Sequence, residues 1–178
     1  MVVPRPWFAL GLFVLSLSAS AQSPPSVAEY QVKAAFLLNF IAFTEWPATA
    51  FAARDAPLVV CVIGVDPFGE TIDEIVEGET ADQRQIAIRR IPGSLDVRGC
   101  HLAFIARSET KRLTTILEMT DGAPLLTVSD IDEFVRRGGT IGLFLDRNRV
   151  RFEIGLRDAR RRNLKLSSQL LTLGRVMR

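Results

Sequence analysis

Two unbroken apolar, β-rich runs constrain this chain more than any other feature. Residues 58–65 (LVVCVIGV) and 100–106 (CHLAFIA) lack the apolar–polar alternation of a strand with one wet face. Such runs suit strands covered on both sides, and those belong to parallel sheets with helices above and below. Helical patterns separate them. Residues 28–44 read as a helix whose stretch 34–43 (AAFLLNFIAF) is apolar nearly all round, broken by Asn39 and ended by Trp46 and Pro47. Asp66 and Pro67 open a helix running to Val76. Ser108 caps a helix to Met119, and Ser129 or Asp130 caps another to Arg137, closed by Gly138 and Gly139.

Residues 85–91 and 125–128 read as further strands. Residues 140–145 and 149–156 form a hairpin around Asp146, Arg147 and Asn148, with Val150, Phe152 and Ile154 alternating against Arg149, Arg151 and Glu153. Residues 158–162 make a charged helical turn. Residues 164–177 read as a closing helix with Leu166, Leu170, Leu173 and Met177 on one stripe. The expectation is a single layered α/β domain over residues 28–178. Its sheet is mixed but mostly parallel, with an antiparallel C-terminal hairpin and helices on both faces.

The first 21 residues carry a different signal. Arg5 precedes a short apolar stretch, residues 7–17 (WFALGLFVLSL), and Ala19, Ser20 and Ala21 form a cleavage site. This reads as a secretory signal peptide cleaved after Ala21, followed by a short spacer over residues 22–27. A spanning helix needs about 20 apolar residues, more than this stretch supplies. Export removes cytosolic ATP, NAD and DNA from the functions to consider. With 22 Lys and Arg against 20 Asp and Glu, the chain also lacks the excess basic charge of a nucleic-acid binder. Two cysteines in an exported chain, Cys61 and Cys100, read as one disulfide closing a loop of about 40 residues.

Catalytic patterns are sparse. His101 is the only histidine, so a usual zinc site or a Ser-His-Asp triad has little to draw on, and no G-x-S-x-G elbow is present. Residues 64–69 (GVDPFG) lack dinucleotide-turn spacing. Asp130, Asp132 and Glu133, and Glu70, Asp73 and Glu74, are the carboxylate sets a glycosidase could use, although helix starts attract such residues for dipole reasons alone. The basic run Arg157, Arg160, Arg161, Arg162 and Lys165 is either a solvated face or a contact for an acidic partner loop, lipid headgroups or an anion. Apolar Leu38, Phe40, Ile41 and Phe43 divide between core and interface.

Several segments in order resemble the YfiR-like family of periplasmic proteins. They are residues 30–47 (YQVKAAFLLNFIAFTEWP), 58–64, 99–105 (GCHLAFI), 126–130 (LTVSD) with 137–142 (RGGTIG), and 151–154 (RFEI) with 164–168 (LKLSS). The resemblance implies a repressor, not an enzyme, with no cofactor. Such a repressor holds down an inner-membrane diguanylate cyclase through its periplasmic sensor portion, and so controls cyclic di-GMP and biofilm. An outer-membrane lipoprotein that binds peptidoglycan titrates it away. It further implies that the family's disulfide position falls on Cys61 and Cys100. A second cysteine pair of some members is absent here. Similar domains also serve membrane histidine kinases as sensory modules, and an exported hydrolase using paired carboxylates is the alternative of another class. The expected partner surface combines Phe40, Phe43 and Trp46 with Arg151, Arg157, Arg160, Arg161 and Lys165, and a homodimer is a further use of it.

Overall fold

The computed structural model describes residues 26–93 and 96–177. The expected signal peptide, and residues 22–25 of the spacer, lie outside the described residues. Ser26 caps the first helix, α1 (Val27–Ala42), its Oγ accepting from the Glu29 amide. There follow β1 (Thr44–Glu45), β2 (Leu58–Ile63), α2 (Thr71–Val76), β3 (Thr80–Ala81), β4 (Arg84–Ile91), β5 (Leu102–Ile105), α3 (Leu113–Met119) and β6 (Leu126–Ser129). The chain ends with β7 (Ile141–Asp146), β8 (Arg149–Gly155), α4 (Leu156–Arg161), β9 (Lys165–Leu166), α5 (Ser168–Leu173) and β10 (Arg175–Met177).

The main sheet has the order β10-β8-β7-β6-β5-β2-β4-β3. Strands β4, β2, β5, β6 and β7 run parallel, β8 is antiparallel to β7, and β10 is parallel to β8. This is the mixed, mostly parallel α/β sheet that the unbroken runs imply. Along β2, Leu58, Val60 and Val62 pack on one face while Cys61 and Ile63 pack on the other; β5 divides likewise between Leu102 and Phe104, and Ala103 and Ile105. Helices α1 and α2 cover the first face and α3 the second. Both sides of each central strand are thus withdrawn from water. The disulfide joins β2 to the entry of β5, with Cα atoms 5.8 Å apart, inside the usual bridging range.

The closing helix expected over residues 164–177 is absent. Ser167 caps the short α5, its Oγ accepting from the Leu170 amide, and Gly174 then ends it. The Phe152 ring lies so close over Gly174 that a Cβ would have no room, and the chain leaves as a strand parallel to β8. The helix expected from Ser129 or Asp130 to Arg137 does not form: Ser129 ends β6 and residues 132–138 form successive turns, with Glu133 at a left-handed φ of 58°. Two expected helices are shorter than read. Asp66 Oδ1 accepts from the Phe68 amide in a local turn, so α2 starts only at Thr71. Ser108 caps no helix: its Oγ accepts from the Val65 amide, a turn of 3₁₀ helix spans Arg107–Glu109, and α3 starts at Leu113. The hairpin turn is the pair Arg147 and Asn148, with φ of 50° and 62°, as a type I′ turn requires.

Candidate functional site

The apolar end of α1 and the basic segment after the hairpin meet in space. Thr44 Oγ1 donates to the Phe40 carbonyl at 2.7 Å and turns the chain out of the helix. β1 then pairs antiparallel with β9, Thr44 opposite Leu166 and Glu45 opposite Lys165, and the Ser167 amide donates to the Phe43 carbonyl at 2.9 Å. The Trp46 indole is fixed by a bond from Nε1 to the His101 carbonyl at 3.1 Å. A cleft of about 580 Å³ results, with Trp46, Pro47 and Thr49 on one wall and Arg160, Asn163 and Lys165 on the other. Across β1 and β9 lies a second depression, of about 420 Å³, lined by Phe43, Ser168, Gln169, Thr172 and Leu173. Leu173 is 69% exposed although it is a large apolar side chain. The two concavities flank the β1 and β9 pair, one apolar at Phe43 and Leu173, the other carrying Arg160 and Lys165, with Glu45 3.9 Å from the Lys165 ammonium.

The other expected contacts lie elsewhere. Phe40 is fully buried, its ring 5.8 Å from Phe36 and 5.1 Å from Phe152 by centroid, and so offers no surface. Its position on the α1 face turned to the sheet decides this. Arg161 binds Asp158 at 2.6 Å and Asp121 at 3.0 Å, and with Arg157 lines a different cleft of about 620 Å³ beside Met177. Arg151 is exposed on β8 opposite Phe144. Arg162, which reads as part of the same basic run, is entirely buried against Asp158. Sequence reasoning missed Leu173, Gln169 and Thr172, because the false closing helix hid them. Gly174 and the Ser167 cap were the signal for the break.

Of the acidic and histidine candidates, Asp130, Asp73 and His101 are occupied by structural work. Asp130, at the carboxyl end of β6, holds the buried Lys33 ammonium at 2.5 Å and accepts from the Tyr30 hydroxyl at 2.9 Å; Arg107 approaches at 3.2 Å. Burial, and then the Asp130 charge, push the Tyr30 phenol above its ordinary value. Asp73 and Asp66 clasp Arg90, whose hydrogen bond holds Asp73 below the usual carboxylate range. His101 Nδ1 accepts from the Val59 amide at 3.0 Å, its Nε2 faces the Ala50 carbonyl at 3.2 Å, and its ring stacks on Phe51. Those partners assign the proton to Nε2, and burial pushes the imidazole below its ordinary value. The crevice between β2 and β5, where open α/β sheets bind ligands, is filled by the Ser108 and Glu109 turn pressed on Gly64. Among the described residues, no group of three or more His, Cys, Asp or Glu side chains is placed to hold a metal.

The family model described as YfiR/HmsC-like matches residues 30–175. The chain belongs to the YfiR/HmsC-like family. The match runs from Tyr30 to Arg175, so it takes in the Lys33 and Asp130 network, the disulfide and both halves of the Phe43 and Leu173 surface. YfiR/HmsC-like proteins are periplasmic regulators of diguanylate cyclases, and the family is regulatory, not catalytic. No curated protein matches the chain.

Proposed function

We propose that this YfiR/HmsC-like protein is exported, loses residues 1–21, and represses an inner-membrane diguanylate cyclase by docking on the cyclase's periplasmic sensor portion. The observation that carries the reading is the surface built by β1 and β9. Phe43 and Leu173 offer an apolar centre, Trp46 a fixed aromatic, and Arg160 and Lys165 a basic rim. An apolar centre with a polar rim is the anatomy of a protein interface, and the rim cations steer an acidic partner loop. Repression then requires only that the surface bind the inactive form of the cyclase more tightly than the active one. A peptidoglycan-binding lipoprotein relieves repression by competing for the same surface. The chain uses no cofactor and performs no catalysis: Asp130 and Asp73, from the two carboxylate sets, are committed to Lys33 and Arg90.

Deleting the gene should raise cellular cyclic di-GMP, and the wild-type gene should restore it. The double variant Arg160→Glu with Lys165→Glu should restore it poorly while melting like wild type, since exposed substitutions cost within about 0.5 kcal/mol. Unchanged cyclic di-GMP on deletion would overturn the reading. Full complementation by the double variant would remove the basic rim from the interface.

A further inference from the structure

On its β4 side the sheet has an edge that the described residues cover only in part. β3 pairs with β4 only at Gln85 and Arg84, opposite Thr80 and Ala81. Gly78, at a φ of 76°, lies in the short link that brings the chain from α2 into β3. Residues 86–91 pair with β2 on their inner side, and among the described residues no strand lies on their outer side. Which backbone groups are open follows from one bond. The Gly64 amide donates to the Ile91 carbonyl on the β2 side. Backbone groups alternate sides along a strand, so those of Ile86, Ile88 and Arg90 point away from β2; Ile86 lies opposite Glu79 in the β3 register, and Ile88 and Arg90 have no described strand on that side. Proteins commonly blunt such an edge with charge, proline or a bulge. Here its start reads Ile86, Ala87, Ile88, with none of these.

A groove of about 740 Å³ runs beside this edge, floored by Ile86 and Ile88 and walled by α2 and the segment after it. Glu70, Glu74, Glu77 and Glu79 all line it, and no Lys or Arg does. Asp73 on the same helix is neutralised by Arg90; none of the four glutamates has an ion-pair partner among the described residues. Apolar floor, acidic wall and open ladder together define one occupant.

We propose that the outer edge of β4 receives an extended polypeptide segment with Lys or Arg at alternate positions, added as a further strand of the sheet. Its backbone completes the ladder at Ile88 and Arg90, and its cations meet the α2 glutamates. Self-pairing of two β4 edges fits less well. A two-fold axis normal to the sheet would set both acidic walls on the same face, where like charges repel. The site is separate from the regulatory surface, because no lining residue is shared with the Phe43 and Leu173 depression.

The test uses the exported, oxidised protein and two labelled synthetic peptides, one alternating Lys and Val, the other Glu and Val. Fluorescence anisotropy should register binding of the Lys peptide only, weakened about tenfold between about 50 and 500 mM NaCl as screening sets in. Hydrogen exchange should slow at the Ile88 and Arg90 amides on saturation. Glu74→Lys with Glu77→Lys, both on the exposed face of the wall, should lose the binding. Ile88→Pro removes an outward amide without taking a bond from β2, and should lose both the binding and the protection. No binding of the Lys peptide overturns the proposal. So does equal binding by a folded Ile88→Pro variant, which would mark plain charge adhesion. Concentration-dependent dimerisation that protects the same amides without peptide would assign the edge to self-association and overturn it likewise.

Discussion

Replacing Asp158 with alanine should unfold this protein more readily than its position in a run of surface-looking charges suggests. Arg162 is 0% exposed and Asp158 6%. Arg162 Nε donates to Asp158 Oδ2 at 2.9 Å, and the same oxygen accepts from Thr140 Oγ1 at 2.5 Å. Asp158 Oδ1 accepts from Arg161 at 2.6 Å. Without the carboxylate, the Arg162 guanidinium keeps only Thr120, through its carbonyl at 2.5 Å and its hydroxyl at 3.4 Å. Removing one partner of a buried pair leaves an uncompensated charge and costs about 3–5 kcal/mol. Domains have only about 5–15 kcal/mol in total. At about 2–4 °C per kcal/mol for a chain of this size, Tm should fall by about 6–20 °C. Urea denaturation of the oxidised protein measures the change directly. The double variant Asp158→Leu with Arg162→Met should be much less destabilised than Asp158→Ala, because no charge remains buried. A loss within about 1 kcal/mol for Asp158→Ala would refute the argument, since only a solvated or neutralised Arg162 could give it.

Thiol titration of the unfolded, unreduced protein should find neither Cys61 nor Cys100 free, and Cys61→Ala with Cys100→Ala should lose about 4 kcal/mol of stability, as expected for a bridge at a sequence separation of 39; an unchanged urea midpoint would show that the bridge adds nothing. His101 sets an acid sensitivity. Its imidazole titrates below its ordinary value when folded and near about 6.5 when unfolded, so the unfolded chain binds more protons. This contribution to stability is whole above that pH and is lost as pH falls through the window below it. Urea midpoints at pH 7.5 and 5.5 should therefore differ more for wild type than for His101→Phe, and equal differences would clear the histidine. In the hairpin turn, Arg147→Asn with Asn148→Gly supplies residues suited to left-handed φ and should raise stability by up to about 1 kcal/mol in the same assay.

The central strands were legible because burial on both faces leaves its mark on every residue of β2 and β5. The hairpin was legible through the alternation at Val150, Phe152 and Ile154. What failed were segments whose form depends on a distant neighbour. Leu166, Leu170, Leu173 and Met177 have helical spacing, yet the Phe152 ring over Gly174 and the free side of β8 draw the last residues into a strand. Ser129 reads as a helix cap, but its hydroxyl donates to the Ile105 carbonyl and accepts from the Ile131 amide inside the core. The site divided the same way. That α1's end and the basic segment share a surface was an expectation tied to the family resemblance, and the pairing of β1 with β9 brings Phe43, Trp46 and Lys165 near each other. That Phe40 and Arg162 turn inward while Arg160 stays out was not legible, because adjacent charges look alike until a helix has a phase and a neighbour.

The pairing of β1 with β9 also dictates the order in which the protein can be finished. α1 is the first of the described elements to be made, yet Phe36 and Phe40 rest on Phe152, Lys33 pairs with Asp130, and Thr44 pairs with Leu166. A chain emerging from its N-terminus can set α1 against α2 early, through Tyr30 and Phe68, but completes the contacts of the helix only when β8 and β9 have arrived. Contacts so distant in sequence make folding slow, and the waiting helix is prone to aggregate. A chain cut short before β8 leaves the Phe36 and Phe40 rings without Phe152, and should therefore fail to reach the folded state.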